Sequence, residues 1–245
     1  MIKLKDILNE GVYDPGILKC IFMAGGPGSG KSKVTDEIFG LGSGLTRVNA
    51  AGIKIVNSDT AFEQQLKKNG IDPKDLARIE KEEPEFWKKI TEDPNGVRSL
   101  AKKTTERIKG FYEAGRLGMI IDGTGDDVEK IQRLKREAEA MGYDTFMVFV
   151  NTSLEVAKHR NSMRSRVLPD NLLIPSWKEC QNNLGKFQTM FSGNFRIVDN
   201  SNNGNNVTPD IRKAVDSFIK TGVRNPIGKK WITTQLMLKN ANIIK

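Results

Sequence analysis

Short apolar runs alternate with amphipathic segments along most of this chain, an alternation typical of a parallel β-sheet flanked by helices. Five runs predict strands, at residues 17–24, 53–57, 119–122, 145–150 and 195–199. Helical spacing predicts helices at residues 31–39, 126–141, 153–163 and 176–190, and a last one from Thr208 to about Lys220. The predicted fold class is therefore α/β, with helices on both faces of a parallel sheet.

Residues 60–114 have a different texture, because they are rich in charge, show helical spacing and are interrupted by Pro73, Pro84 and Pro94. Proline can begin a helix but cannot continue one. The segment is therefore predicted to be a helical insertion, built from several short helices between two core strands. Irregular structure is predicted at residues 40–44, 164–175 and 200–206.

The composition is that of a chain able to bury an ordinary core, with 38% apolar and 28% charged residues. No run of 18 apolar residues occurs, which predicts that the chain does not span a membrane, and residues 1–10 lack the apolar segment of a secretory signal. Of the two cysteines, Cys20 lies in an apolar run and is predicted to be a packed core thiol. A disulfide framework is not expected. A reducing, cytoplasmic location is expected instead.

Charge adds one further constraint. The chain has 39 Lys and Arg residues against 30 Asp and Glu residues, a formal net charge of +9. Such a surplus suits polyanionic ligands, namely nucleotides, nucleic acid or phosphorylated metabolites. General surface solubility explains it equally well, so charge alone does not select a partner.

The first predicted strand ends in a glycine-rich turn with the sequence Gly25-Gly26-Pro27-Gly28-Ser29-Gly30-Lys31-Ser32. It fits the P-loop pattern G-x-x-x-x-G-K-[ST] and has the strand before it and the helix after it that the pattern requires. The glycines allow backbone N–H groups to converge on phosphate oxygens. Lys31 is expected to reach the β- and γ-phosphates of a nucleotide, and the Ser32 hydroxyl to bind Mg²⁺.

Two aspartates follow other strands of the predicted sheet, where the ligand crevice of an open α/β sheet lies. Asp122 ends an apolar strand and is a candidate second ligand for Mg²⁺, with a turn or helix cap as the alternative. Asp59 follows the second strand and is a candidate general base for an attacking hydroxyl. The alternative is that Asp59 caps a helix starting at Thr60. Asp126 and Asp127 are better explained as the start of the next helix.

Three arginines, Arg160, Arg164 and Arg166, lie at and beyond the end of the helix after the fourth strand. Arg160 and Arg164 are four residues apart and share a helix face. A guanidinium group can bind two oxygens of a phosphoryl transition state, so these residues are candidate phosphate ligands. A solvated basic face is the alternative. His159 is the only histidine, and no role is assigned to it.

Four patches together resemble the P-loop kinases that include the zeta toxins and the phage polynucleotide kinases. They are the P-loop, Val56-Asn57-Ser58-Asp59-Thr60, Ile120-Ile121-Asp122-Gly123-Thr124, and the arginine-rich segment at residues 160–169. The resemblance implies ATP or GTP with Mg²⁺ as cofactors, Asp59 as general base, and a lid at about residues 160–175 whose Arg160 and Arg164 grip the donor phosphates.

Two departures from this resemblance concern the acceptor. Polynucleotide kinases place an arginine three residues after the base, where this chain has Phe62. Zeta toxins often place an arginine shortly after the Gly-Thr pair, where this chain has Gly125-Asp126. The acceptor site is therefore expected to differ from that of both relatives.

The two ends of the chain carry separate signals. Leu8-Asn9-Glu10 resembles the L-x-E site that prohead proteases of large tailed phages cut, which implies packaging in a phage capsid; an ordinary N-terminal helix ended by Gly11 is the alternative. Residues 221–245 are basic, with Trp231 among the cations, and either bind nucleic acid or pack as a closing helix. The predicted organisation is a leader or helix at 1–16, a P-loop kinase domain at 17–220 and a basic tail at 221–245.

The sequence as a whole predicts phosphoryl transfer from a Mg²⁺-bound nucleotide to a hydroxyl group of a nucleic acid, nucleotide or nucleotide sugar. Two other functions stay open. The first is a nucleic-acid-binding NTPase without kinase activity, and the second is a phage internal protein that keeps a nucleotide site.

Overall fold

The computed structural model describes residues 12–40, 49, 51–164, 167–202 and 207–241. Most of the predicted leader, including the Leu8-Asn9-Glu10 site, lies outside these residues, as does Arg166.

Five strands form one parallel sheet in the order β2-β3-β1-β4-β5. The strands are β1 (Lys19–Ala24), β2 (Lys54–Val56), β3 (Met119–Asp122), β4 (Asp144–Asn151) and β5 (Phe195–Asp199). The predicted α/β class with a parallel sheet is confirmed.

Ten α-helices surround the sheet in the described part of the chain. They are α1 (Lys31–Phe39), α2 (Ser58–Lys68), α3 (Leu76–Glu82), α4 (Pro84–Thr91), α5 (Val97–Ala114), α6 (Val128–Ala140), α7 (Leu154–Ser162), α8 (Asp170–Phe191), α9 (Pro209–Lys220) and α10 (Pro226–Asn240). Two short 3₁₀ helices occur at Pro73–Asp75 and Ser192–Asn194. None of the helices in the described ranges is long and apolar enough to cross a membrane.

The sheet is buried on both faces, which explains why its strands are almost continuously apolar. On one face, Phe22 and Phe149 pack against α6, α8 and α10. On the other face, Ile21 and Val148 pack against α1 and α9. Cys20 is fully buried in the first of these cores, as predicted.

The helical insertion has its own small core, and its prolines lie at helix starts or in turns. Phe62 and Leu66 of α2 pack against Ile90 of α4 and Ala101 of α5. Pro84 is the first residue of α4, where its missing N–H costs no hydrogen bond. The prediction of several short helices is therefore confirmed.

One predicted irregular segment is wrong in its second half, because α8 begins at Asp170 instead of Ser176. Leu173 is fully buried, so the first turn of α8 is anchored to the domain despite Pro175 within the helix. Asp170 also forms an ion pair with Lys158 of α7, at 2.8 Å. The bounds of the other core strands and helices differ from the prediction by at most two residues.

The basic tail contains a helix, α10, that docks on the domain. The Asn225 side chain donates hydrogen bonds to the carbonyls of Glu139 and Tyr143, at 2.8 and 3.2 Å, and caps α10 by accepting from Ile227 N–H. Trp231 and Ile232 pack against the core. This arrangement is the closing helix that the spacing of apolar residues predicted as one alternative.

A close contact between two glycines fixes the start of α10 and generates a stability prediction. A Cβ added at Gly228 would overlap the Gly142 carbonyl oxygen, a backbone atom that cannot move aside easily. Gly228→Ala is therefore expected to destabilise the protein by about 1–3 kcal/mol, a typical cost of overpacking. Thermal unfolding should show a Tm lowered by about 2–12 °C for a chain of this size.

Gly222→Ala is the matched control, since nothing lies within 4 Å of its added Cβ. Its Tm should stay within about 2 °C of the wild-type value, as for other surface changes. A Tm of Gly228→Ala equal to that of the wild type would contradict the docking of α10.

Candidate functional site

The loop between β1 and α1 takes a conformation that only glycine tolerates at its tightest points. Gly28 has a φ of 74°, and an added Cβ would overlap the carbonyl group of Ala157 in α7. Gly25 has a φ of 154°, and an added Cβ would overlap the carbonyl oxygen of Val150 in β4. The predicted P-loop therefore packs directly against neighbouring backbone, and side chains at these positions would disrupt it.

Two side chains from distant segments hold the same carbonyl of the P-loop. The Asn200 amide, after β5, donates to Ser29 O at 2.6 Å. The Arg160 guanidinium of α7 donates to it at 3.4 Å. Both contacts restrain the loop just before α1. Asn200 was not predicted as a site residue; its only sequence signal is a polar residue directly after a strand.

The start of α1 presents the groups expected of a phosphate site. Lys31 is the first residue of α1, and its ammonium donates to Gly25 O at 2.9 Å across the mouth of the loop. Ser32 follows it in the first helical turn and is exposed. A helix N-terminus with unsatisfied N–H groups favours a bound anion. The P-loop and α1 thus combine backbone donors, a cation and a hydroxyl in one place.

Asp122 lies beside the P-loop strand because β3 pairs with β1, with Asp122 in register with Met23. Beyond the strand end, Gly25 N–H donates to Thr124 O at 2.9 Å, so the pairing continues into the P-loop itself. Asp122 Oδ2 accepts a hydrogen bond from the Asn57 amide at 2.8 Å. The carboxylate is thus held at the crevice edge of the sheet.

Asn57 joins this carboxylate to the helix that carries Asp59. Its amide oxygen accepts from Asp59 N–H at 2.7 Å, and Asn57 is therefore the N-cap of α2. The alternative that Asp59 caps a helix starting at Thr60 is wrong, since α2 already begins at Ser58. One side chain thus contacts both Asp122 and the backbone of the candidate base.

Asp59 itself pairs with an arginine from the helical insertion. Arg98, in the first turn of α5, donates to Asp59 Oδ1 at 3.2 Å. The Asp59 side chain remains 75% exposed, so a substrate can reach it. The Arg98 guanidinium also lies 4.8 Å from the centroid of the Phe62 ring. Sequence reasoning missed Arg98, because it is 39 residues away from Asp59 and follows no motif.

The predicted lid arginines are placed differently from one another. Arg160 is half-buried and contacts the P-loop, as described above. Arg164 is exposed after the end of α7. The buried Asn161 side chain bonds both the N–H and the carbonyl of Leu168, at 3.0 and 2.7 Å. This double hydrogen bond ties together the two ends of the segment that carries Arg164.

Helix α8 also packs against the P-loop. Trp177 packs against Gly26, and its indole N–H donates to Thr152 O at 3.0 Å. Cys180 donates to Thr124 O at 3.1 Å, and burial raises the pKa of its thiol to about 12. The thiol therefore stays protonated at neutral pH and serves packing.

The two aspartates after β3 have structural partners. Asp127 is the N-cap of α6 and accepts from Lys130 N–H at 2.9 Å. Asp126 accepts hydrogen bonds from Thr124 and from Ser176, so it links the end of β3 to α8. The expected place at the start of a helix is confirmed for Asp127, whereas Asp126 lies one residue before the N-cap.

The donor set suits Mg²⁺ held together with nucleotide phosphates. Ser32 and Asp122 supply a hydroxyl and a carboxylate oxygen from adjacent segments, which are the hard ligands that Mg²⁺ prefers. Within the described ranges, no group of three or more His, Cys, Asp or Glu residues forms a metal cage. Mg²⁺ in proteins commonly takes one or two protein ligands and completes its shell with phosphate oxygens and water.

The chain was compared with protein-family models, curated proteins and solved structures. The family model described as an AAA domain matches residues 20–171, which include the P-loop, Asp59, Asp122 and Arg160. No curated protein matches the chain. Among solved structures, a gluconokinase from Sinorhizobium meliloti shares 16% identity with a TM-score of 0.44, covering 83% of this chain and 92% of that one.

Two other solved structures are similar at comparable levels. One comes from the PezAT chromosomal toxin–antitoxin system of Streptococcus pneumoniae, with 13% identity, a TM-score of 0.49, and coverage of 93% of this chain and 87% of that one. The other is a candidate kinase from Chloroflexus aurantiacus, with 12% identity, a TM-score of 0.47, and coverage of 82% and 97%.

The geometry of the P-loop predicts that Lys31 is the main cation for the nucleotide. Lys31→Ala removes the expected charge-assisted hydrogen bond from the Lys31 ammonium to a phosphate oxygen, which is worth about 1.5–3 kcal/mol. The affinity for ATP–Mg²⁺, measured by isothermal titration calorimetry, should fall by about 10- to 150-fold. Lys33→Ala is the control, since Lys33 is exposed on the same helix. Equal losses in the two variants would argue against a specific role for Lys31.

Proposed function

The chain belongs to the AAA domain family, and on that premise we propose that it is an ATP-dependent phosphotransferase with a hydroxyl group as acceptor. The acceptor is a nucleic acid, a nucleotide or a nucleotide sugar. One observation carries the proposal: Asp122 lies beside the P-loop, and Asn57 connects it to the exposed carboxylate-bearing turn of Asp59. A nucleotide site and an accessible candidate base thus share one edge of the sheet.

The donor side of the reaction belongs to the P-loop. Backbone N–H groups of the loop and the Lys31 ammonium bind the β- and γ-phosphates of ATP. Ser32 and Asp122 would hold Mg²⁺, which neutralises charge on the transferring phosphoryl group. Arg160, already bonded to the P-loop, and Arg164, at the end of α7, close over the γ-phosphate.

The acceptor side belongs to Asp59 and the helical insertion. The acceptor oxygen forms a bond to the γ-phosphorus while the bond from that phosphorus to the β,γ-bridging oxygen breaks. The acceptor hydroxyl proton passes to the Asp59 carboxylate. Arg98 holds this carboxylate in one orientation, and Asn57 fixes the turn that carries it.

The helical insertion supplies residues that lie beside the candidate base. Phe62 and Arg98 lie beside the base, and both come from helices of the insertion, α2 and α5. Phe62 is buried in the core of the insertion, so its ring supports Arg98, and the Arg98 guanidinium offers a positive charge to the acceptor. This charge suits an acceptor that bears an anionic group.

The experiment is to incubate the full chain with Mg²⁺ and ATP labelled at the γ-phosphate, with a panel of acceptors. The panel holds 5′-hydroxyl DNA and RNA ends, nucleosides, nucleotides and nucleotide sugars. Label on an acceptor supports the proposal. Release of inorganic phosphate stimulated by DNA, with no labelled acceptor, would instead indicate a nucleic-acid-dependent NTPase. ATP binding without turnover would indicate a non-catalytic nucleotide site.

Asp59→Asn tests the base. The amide is nearly isosteric but cannot accept the acceptor proton, and loss of a general base lowers kcat by about 10²–10⁴-fold. Asp210→Asn is the control, because Asp210 also lies exposed in the first turn of a helix, α9. ATP affinity should be unchanged in both variants. If Asp59→Asn keeps most of its activity, Asp59 is not the base.

Arg98→Ala tests the positioning of that base. Without its partner the carboxylate samples more orientations, and we expect kcat/KM for the acceptor to fall about tenfold, about 1.4 kcal/mol in activation free energy. The KM for ATP should not change. Arg107→Ala is the matched control, since Arg107 lies on the same helix and also covers an aromatic ring, with its guanidinium 5.6 Å from the Phe111 centroid. A purely structural role would lower Tm in Arg98→Ala and leave kinetics per folded molecule intact.

A further inference from the structure

A second concave site lies at the edge of the sheet opposite the P-loop. There a cavity of about 580 Å³ opens between the first residues of β1, β4 and β5 and helix α9. This volume is in the range of small-molecule sites in proteins. We call it the amino-edge cavity, because all its strands enter it with their amino ends. The length of β1 separates it from the P-loop by roughly 20 Å.

A buried ion pair forms part of the cavity wall. Lys19, the first residue of β1, is 2% exposed, and its ammonium lies 2.9 Å from Asp144 Oδ2. Asp144 also accepts hydrogen bonds from the backbone N–H groups of Arg224 and Asn225, each at 2.9 Å. Burial lowers the pKa of Lys19 below its ordinary value, and the ion pair with Asp144 opposes that shift only in part. Asp144 is thus fully engaged and cannot neutralise further cations.

Two more cations line the cavity and lack such a partner. Arg196 and Arg224 form no ion pair with any residue in the described ranges. The other lining carboxylate, Glu139, is occupied by Lys135 at 2.6 Å and by the Thr145 hydroxyl at 2.9 Å. The cavity therefore carries a surplus of positive charge, and its carboxylates are already paired.

Aromatic rings complete the lining. The Phe218 ring has its centroid 4.9 Å from the Lys19 ammonium, and the Phe146 ring has its centroid 5.9 Å from the Arg196 guanidinium. The two rings lie 5.0 Å apart, centroid to centroid. A small-molecule site needs a few convergent polar groups against an apolar wall, and both are present here.

We propose that the amino-edge cavity binds a small oxyanion, a phosphate monoester or a carboxylate, attached to a planar apolar body. Arg196 and Arg224 bind the oxyanion, since a guanidinium can hold two of its oxygens at once. The planar body packs against Phe218. The site is independent of the phosphotransferase proposal, because none of the residues assigned to the donor or acceptor lines it.

Phenyl phosphate and benzoate are suitable probes, since each joins an oxyanion to a planar ring and they differ only in the anion. Titration calorimetry should use the full chain with the P-loop saturated by a non-hydrolysable ATP analogue and Mg²⁺. We expect saturable binding of at least one probe, and at least tenfold weaker binding of inorganic phosphate. No saturable binding, or binding that the ATP analogue abolishes, would overturn the proposal. Equal affinity for inorganic phosphate would overturn the assignment of the planar body.

The variant Arg196→Gln/Arg224→Gln should bind the probe at least tenfold more weakly. Lys213→Gln/Lys220→Gln is the matched control, because it removes the same charge from exposed positions of α9 outside the cavity. Its affinity should stay within twofold of the wild type, and equal losses in both variants would sink the proposal. Arg196 also bonds to backbone carbonyls, so Arg224→Gln alone is the second test if the double variant is unstable. It too should lose affinity.

Discussion

The parallel pairing of β1 with β3 is the contact on which the rest of the site depends. It sets Asp122 beside the strand that leads into the P-loop, and the hydrogen bond from Gly25 to Thr124 carries the pairing past the strand ends. Because both faces of the sheet are buried, polar chemistry has room only at the strand ends. The predicted P-loop, the candidate Mg²⁺ ligand Asp122 and the turn with the candidate base therefore lie close together.

The two edges of the sheet handle charge in different ways. At the carboxyl edge, cations face groups that a substrate can reach: Lys31 spans the P-loop, and Arg98 pairs with an exposed carboxylate. At the amino edge, Lys19 and Asp144 are buried together, and Arg196 and Arg224 remain unpaired within the described ranges. The overall charge of +9 thus says less about function than the positions of these few cations.

The sequence could predict features that depend on neighbouring residues, and it could not predict contacts between distant segments. The P-loop, the strands and most helix bounds follow from spacing within a few residues, so they were predictable. The partners of the site were not: Asn200 reaches Ser29 across 171 residues, and Arg98 reaches Asp59 across 39. The early start of α8 was missed because residues 164–175 were interpreted as one irregular stretch, whereas the buried Leu173 anchors the first turn of the helix. Residues 1–11 of the predicted leader and Arg166 lie outside the part of the chain that the structure describes.

Asn57 has a consequence for how this edge can vary and move. Its amide donates to Asp122 with one end and accepts from the α2 backbone with the other, so the position needs a donor and an acceptor on one short side chain. An aspartate of the same shape would put two carboxylates in contact, and a leucine would remove both hydrogen bonds. The same two hydrogen bonds couple the position of α2 to that of the strand end at Asp122. A shift of the insertion is therefore expected to displace Asp122, the candidate Mg²⁺ ligand.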